Sequence, residues 1–258
     1  MDNRLLHIFD RPTPKLSIYF TAGYPALDDT MQVLRSLDAA GVDFVELGMP
    51  FSDPLADGPV IQRCSLDAIQ NGMTIKLMFE QIRDMRRTVN MPVILMGYIN
   101  PVEHYGIEAF VRKCNEVGVD GVILPDLPVD EWQERYTELF AANNLLYIPL
   151  IAPQTPDDRI RYIDSVCTGF IYMVASAGIT GNITTTQDYR TAYYQRVKSL
   201  GLRNKLVVGF GIKDHASYAH ANANADGAII GTAFVKYLKE HGTDEATIKQ
   251  FLSDIRSE

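Results

Sequence analysis

Eight short runs rich in β-branched and other apolar residues, at 16–21, 42–47, 92–96, 119–124, 145–150, 170–174, 206–208 and 228–230, constrain the fold more than any other feature. Between them lie segments with helical periodicity. In 28–40, Met31, Leu34 and Leu37 share one face, and 107–117 and 130–142 have the same character. Near-continuous apolar strands alternating with helices require a parallel sheet covered on both faces. Eight such units within 258 residues predict a single (β/α)8 barrel domain spanning 1–258, and the 47% hydrophobic content suits that size. The competing architecture is an open doubly wound sheet. It would place a glycine-rich dinucleotide turn after the first strand, where Gly23-Tyr24-Pro25 stands instead. No internal repeat appears beyond the strand-helix rhythm.

The strands are evenly spaced except after the second and the sixth, where the chain spends extra residues. Both insertions follow a strand, so both are expected as long loops on the face of a barrel where chemistry is done. Residues 1–10 have charges on both sides of a small apolar patch, which predicts a short helix and not a signal peptide. The longest apolar stretches, such as Pro92-Val-Ile-Leu-Met96, are too short to cross a bilayer. A net charge of −8 repels polyanions, which argues against a nucleic-acid partner and requires any phosphate to be held by a local device. Cys64, Cys114 and Cys167 are far apart, with no disulfide or zinc spacing, and fit a cytoplasmic protein. No H-E-x-x-H or carboxylate triplet marks a metal site, and no lysine at a strand end has the neighbours of a Schiff-base aldolase.

In the second run, alternation places Val42, Phe44 and Glu46 on one face. If that face is the barrel interior, Glu46 sits at an apolar strand mouth, where desolvation raises its pKa and makes it an acid able to give and take a proton. Alternation alone is equally compatible with a solvated strand-end glutamate. The loop that follows, Gly48-Met-Pro-Phe-Ser-Asp-Pro-Leu-Ala-Asp-Gly-Pro59, carries Asp53 and Asp57 in ordinary turn contexts, and either aspartate alone reads as a turn former. Glycines follow the last three strands: Gly178 and Gly181, Gly209 and Gly211, then Gly231 before Thr232. Their backbone N–H groups can approach an anion closely, and the segment from Gly231 can start the short helix that often holds phosphate in barrels.

The stretch Glu46-Leu-Gly-Met-Pro-Phe-Ser-Asp-Pro-Leu-Ala-Asp-Gly-Pro-Val-Ile-Gln62 closely resembles the signature of the tryptophan synthase alpha subunit family. Similar segments recur in family order: Phe20-Thr-Ala-Gly-Tyr-Pro25, Leu95-Met-Gly-Tyr-Ile-Asn-Pro101, Gly118-Val-Asp-Gly-Val-Ile-Leu-Pro-Asp-Leu-Pro128, Ala177-Gly-Ile-Thr-Gly181, Val208-Gly-Phe-Gly-Ile212 and Gly231-Thr-Ala-Phe-Val-Lys236. The resemblance covers all but the extreme termini. It implies a lyase that cleaves indole-3-glycerol phosphate into indole and glyceraldehyde 3-phosphate. Glu46 would be the acid/base, and Asp57 would accept the indole N–H. Gly181, Gly211, Gly231 and Thr232 would contact phosphate, with threonine standing where the family often has serine. Thr180 would bond the aspartate loop when the segment 178–188 closes as a lid.

Phe20, Met96, Tyr98, Ile123, Ile151, Tyr172 and Phe210, at or near strand ends, are candidates for an apolar indole slot. Ser176 departs from the family, where an arginine often stands, so any salt bridge of that arginine is missing. The resemblance further implies no cofactor in this chain and a beta-subunit partner, in an alpha2beta2 assembly, that carries pyridoxal phosphate. Two alternatives share the same motifs: a stand-alone lyase, and a non-catalytic subunit that only activates a partner.

Overall fold

Each of the eight apolar runs forms strand in the computed structural model, which describes residues 2–174 and 187–257. One run does so in two pieces. The strands are β1 (Lys15–Thr21), β2 (Phe44–Gly48), β3 (Val93–Met96), β4 (Gly121–Ile123), β5 (Leu146–Tyr147), β6 (Leu150–Ile151), β7 (Phe170–Val174), β8 (Lys205–Gly209) and β9 (Gly227–Ile230). All neighbours pair in parallel, in the order β5-β4-β3-β2-β1-β9-β8-β7-β6.

β5 and β6 are the halves of the single run 145–150, separated by Ile148 and by Pro149, which has no N–H to offer a ladder. The break does not open the sheet. Ile148 N–H donates to the Val122 carbonyl (3.0 Å), and the Pro149 carbonyl accepts from Tyr172 N–H (2.9 Å). Both edges therefore belong to one continuous run, and the sheet closes as the expected barrel.

Strand alternation sorts the apolar side chains into two layers. Phe44, Ile94, Met96, Ile123, Leu146, Ile148, Phe170, Tyr172, Val207 and Ile229 pack inside the barrel, joined by Leu5 from the N-terminal helix Arg4–His7. Leu16, Ile18, Phe20, Val45, Leu47, Val93 and Leu95 point outward under the helices. The end of the barrel that precedes the strands is fastened by Asp120. Its carboxylate accepts from Arg86 at 2.6 Å, from Arg4 at 3.2 Å and from the Val93 N–H at 2.9 Å. Asn3 donates from its amide to the carbonyls of Asp120 and Asn144, both at 2.8 Å. These bonds leave the opposite end, where the strands finish, free for a site.

Four details differ from the sequence expectations. The helix expected over 130–142 is two, Val129–Arg135 and Thr137–Ala142. Tyr136 leaves helical geometry at φ −126° where the Thr137 hydroxyl donates back to the Gln133 carbonyl at 2.8 Å. The extra chain after β2 is a loop over 49–58 followed by two helices, Pro59–Gln70 and Ile75–Gln81, so most of that insertion is helical. Val42 is not an inner-face residue. It precedes the strand, its N–H bonds the Leu37 carbonyl (3.2 Å), and its side chain joins the outer layer. The N-terminal helix is a single turn continued by a 3₁₀ turn, Ile8–Asp10. Cys64, Cys114 and Cys167 are free and buried, as their spacing implied.

Candidate active site

The register of the barrel assembles the site. β1 pairs with β2 so that Tyr19 lies beside Glu46, and β3 sets Ile94 on its other side. In parallel pairing, partners share a face, so Tyr19, Glu46 and Ile94 all point inward. Glu46 is fully buried, and neither carboxyl oxygen has a hydrogen-bond partner among the described residues. Loss of water alone pushes its pKa up to about 8. At neutral pH Glu46 is therefore mainly a carboxylic acid.

Asp57 arrives from the loop after β2. Its backbone closes an ordinary turn, with the N–H donating to the Pro54 carbonyl at 3.0 Å, and Gln62 donates to its own carbonyl at 2.9 Å. Its carboxylate does something a turn former does not. Oδ2 accepts from the Tyr98 hydroxyl at 2.9 Å, and that hydroxyl accepts in turn from Ala56 N–H at 2.9 Å. Phe51 packs on the Tyr98 ring with centroids 5.2 Å apart. Burial raises the Asp57 pKa to about 6, with the Tyr98 bond acting in the opposite direction. Asp53, in contrast, is exposed and takes the neighbouring Ser52 hydroxyl.

Glu46 and Asp57 line one cavity of about 440 Å³ at the C-terminal end of the strands. Tyr19, Ile61, Met96, Tyr172, Phe210 and Ile229 give it a flat apolar body. Tyr172 and Phe210 meet edge to face at 6.2 Å. Glycine is obligatory at 209, because a Cβ there would stand 1.9 Å from the Tyr172 hydroxyl oxygen. The other end of the cavity is polar, formed by Gly211, Lys213, Gly231, Thr232 and Lys236. Phe210 and Gly211 both have positive φ, at 71° and 77°, a turn that exposes backbone where β8 ends. Gly231 is the N-cap of the helix Thr232–His241, and no side chain caps that helix, so its first N–H groups face the cavity end unclaimed by a side chain.

Of the residues singled out from sequence, Glu46, Asp57, Met96, Tyr172, Phe210, Gly211, Gly231 and Thr232 come together in this cavity. Tyr98 reaches it through Asp57 instead of lining it. Phe20 and Ile151 do not belong to it, since both point into the outer layer. Ile123 faces inward but is not part of the cavity wall. Ser176, Gly178, Thr180 and Gly181, with residues 178–186 of the expected lid, lie outside the described residues, and its last two residues, 187–188, begin the helix Gln187–Ser199. Sequence reasoning missed Tyr19, Ile61, Ile212, Lys213, Ile229 and Lys236. A signal for Tyr19 existed in β1, where Lys15, Ser17, Tyr19 and Thr21 alternate with Leu16, Ile18 and Phe20. The polar set is the one that faces the glutamate.

Two carboxyl groups with displaced pKa values set a pH dependence. Chemistry that needs Asp57 ionised and Glu46 protonated gains as pH rises through about 6 and is lost as pH rises through about 8. The expected kcat/KM profile of the free protein is a bell with limbs near those values. A profile flat from pH 5 to 9 would contradict these assignments.

A closed parallel barrel with a neutral acid and an ionised carboxylate facing one apolar cavity, beside a cationic, glycine-lined mouth, has the arrangement of an acid–base barrel enzyme, with room for an anion at one end. Comparison with known proteins narrows the class. The family model described as "Tryptophan synthase alpha chain" matches residues 10–256. The chain is 48% identical to the tryptophan synthase alpha chain of Flavobacterium psychrophilum, covering 98% of this chain and 99% of that one. It is 49% identical to that of Christiangramia forsetii, covering 99% of each. The crystal structure of tryptophan synthase subunit alpha from Legionella pneumophila superimposes with a TM-score of 0.89 at 32% identity, covering 99% of this chain and 98% of that one. The chain belongs to the tryptophan synthase alpha chain family.

Proposed function

We propose that this chain is the lyase subunit that splits indole-3-glycerol phosphate into indole and glyceraldehyde 3-phosphate. The observation that supports this most is Glu46, a buried acid with both oxygens free of partners, facing the same apolar cavity as Asp57. The neutral carboxyl of Glu46 delivers its proton to indole C3, and positive charge develops at the ring nitrogen. Ionised Asp57, held by Tyr98, accepts the indole N–H and stabilises that charge. The bond from C3 to the glycerol carbon then breaks, its electron pair returning to the ring. The hydroxyl on that carbon becomes the aldehyde and gives its proton to the Glu46 carboxylate, which restores the acid. One proton enters and one leaves, so the step draws on no cofactor in this chain.

The phosphate is assigned to the end formed by Gly211, Gly231 and Thr232, and the indole ring to the slot between Met96, Tyr172 and Phe210. Thr232 retains a hydroxyl at the helix start. The non-catalytic alternative leaves a displaced pair of carboxyl pKa values in one cavity without a purpose.

The assembly partner is a beta subunit, in an alpha2beta2 complex in the cytoplasm, which would condense the indole with serine with the help of its own pyridoxal phosphate. A partner that binds preferentially to the conformation with the loop 49–58 ordered over the substrate can raise turnover only by that difference in affinity. Turnover of indole-3-glycerol phosphate by the isolated chain is accordingly expected to be slow and to rise at least tenfold across a beta-subunit titration. A flat titration with fast intrinsic turnover would favour the stand-alone lyase.

A further inference from the structure

The helix Gln187–Ser199 carries two arginines whose surroundings contrast. Arg196 is saturated: it pairs with Asp157 at 2.8 Å and donates to the carbonyls of Pro153 (2.9 Å) and Thr155 (3.2 Å). Arg203, just beyond the helix, is similarly occupied by the carbonyls of Asp164, Ser165 and Cys167. Arg190, in the first turn, is not. Its Nε is buried with no hydrogen-bond partner among the described residues. Its guanidinium lies against the turn after β8: a Cβ built on Gly211 would stand 3.0 Å from Nη2, 3.1 Å from Nη1 and 3.3 Å from Cζ. Gly211 also lines the cavity, between Phe210 and the exposed Lys213.

We propose that Arg190 is a specificity-determining residue for the anionic end of the substrate, donating across the Gly211 turn to a phosphomonoester dianion. This rests on the assignment of phosphate to Gly211, Gly231 and Thr232 made above. Three observations converge on it. A buried guanidinium N–H without an acceptor is costly, and although Arg190 does not itself line the cavity, its Nη groups lie against the Gly211 turn that does, where they can meet an anion. Glycine at 211 suits its positive φ, and a Cβ there would press on the guanidinium at 3.0–3.3 Å and push Arg190 off the turn. The other cations at this end, Lys213 and Lys236, are exposed point charges at the rim, whereas Arg190 offers a planar fork of fixed orientation. A dianion is thus met by backbone N–H groups on one side and a guanidinium on the other. The net charge of −8 makes such local charge compensation necessary.

The test uses glycerol 3-phosphate and indole as separate probes, titrated into the full chain. Arg190→Gln is expected to weaken glycerol 3-phosphate about tenfold, the value of one charge-assisted hydrogen bond. Indole affinity and the thermal midpoint should stay at wild-type values, and Arg190→Lys should recover only part of the loss. Gly231→Asp is the control for the phosphate site itself. A Cβ at 231 meets nothing closer than Tyr19 at 3.4 Å, so the side chain fits while its charge opposes the anion. If Gly231→Asp loses glycerol 3-phosphate and Arg190→Gln binds it within twofold of wild type, the role of Arg190 is overturned and the phosphate site stands. Wild-type binding by both variants overturns the site and the role together. Equal losses for indole and glycerol 3-phosphate in Arg190→Gln, with a lowered midpoint, would make Arg190 a support of the fold and also overturn the proposal.

Discussion

Glu46→Gln is expected to lower kcat for indole-3-glycerol phosphate cleavage by about 10²–10⁴, with substrate affinity nearly unchanged. The amide keeps the size and polarity of the carboxyl but cannot exchange its proton. Asp57, the other carboxyl among the described residues of the cavity, is mainly ionised at neutral pH and so is a poor proton donor. The same substitution should make the protein more stable at high pH. In the wild type the folded state holds a proton on Glu46 up to about pH 8, while the unfolded chain releases it near the ordinary carboxylate value. The folded state therefore binds more protons across that window, and its stability falls as pH rises through it, until Glu46 ionises in the folded protein as well. At about 1.36 kcal/mol per unit, the loss by pH 9 is on the order of 4 kcal/mol, and glutamine removes it. Denaturant unfolding at pH 5 and pH 9 checks this. A variant that retains most of its turnover would remove Glu46 from the chemistry, and one no less sensitive to pH than the wild type would mean that Glu46 is solvated.

Asp57→Asn should cost about 10²–10³ in kcat, through loss of the charge beside the indole nitrogen at the moment positive charge develops there. The fold around it should persist. The turn depends on the Asp57 backbone, which an asparagine reproduces, and Tyr98 can donate to an amide oxygen as it does to Oδ2. A change confined to KM would make Asp57 a binding residue. Because the acid limb of the pH profile belongs to Asp57, that limb should disappear from the residual activity of the variant. Its survival would assign the limb to another group.

The barrel was legible because its signal is repeated. Eight largely apolar parallel strands alternating with helices ask for that rhythm, and the lack of a dinucleotide turn after the first strand set the open doubly wound sheet aside. The same property hid the parity of the strands. Where both faces are apolar, alternation cannot say which side turns inward. In β1 it could, since Lys15, Ser17, Tyr19 and Thr21 alternate with Leu16, Ile18 and Phe20. Yet apolar Phe20 was expected in the site that Tyr19 lines, and Phe20 packs under the helices. Ile151 failed for a related reason: alternation continues through Pro149, with Leu146, Ile148 and Leu150 inward and Tyr147 and Ile151 outward, and apolar residues on both faces concealed it. In β2 alternation set Glu46 on the face of Phe44, but only the family resemblance, and then burial in the barrel, separated a cavity acid from a solvated strand-end glutamate.

Sequence by itself determined the barrel, the acid at the end of β2 and the glycines at the strand ends, all of which follow from local chemistry at fixed spacing. Tertiary structure showed which carboxylate lies beside Glu46 in the cavity, a choice that local turn chemistry left open and only the family resemblance had made. Asp53 and Asp57 have equivalent turn contexts, and only Tyr98, forty-one residues further on, holds Asp57 to the cavity while Asp53 stays in solvent. It also decided the cationic end, where Arg190, the Gly211 turn and the helix that carries Gly231 and Lys236 come from three separate segments of the barrel. Their proximity is a product of sheet closure, which joins chain segments by register and not by sequence distance, so no local pattern could announce it.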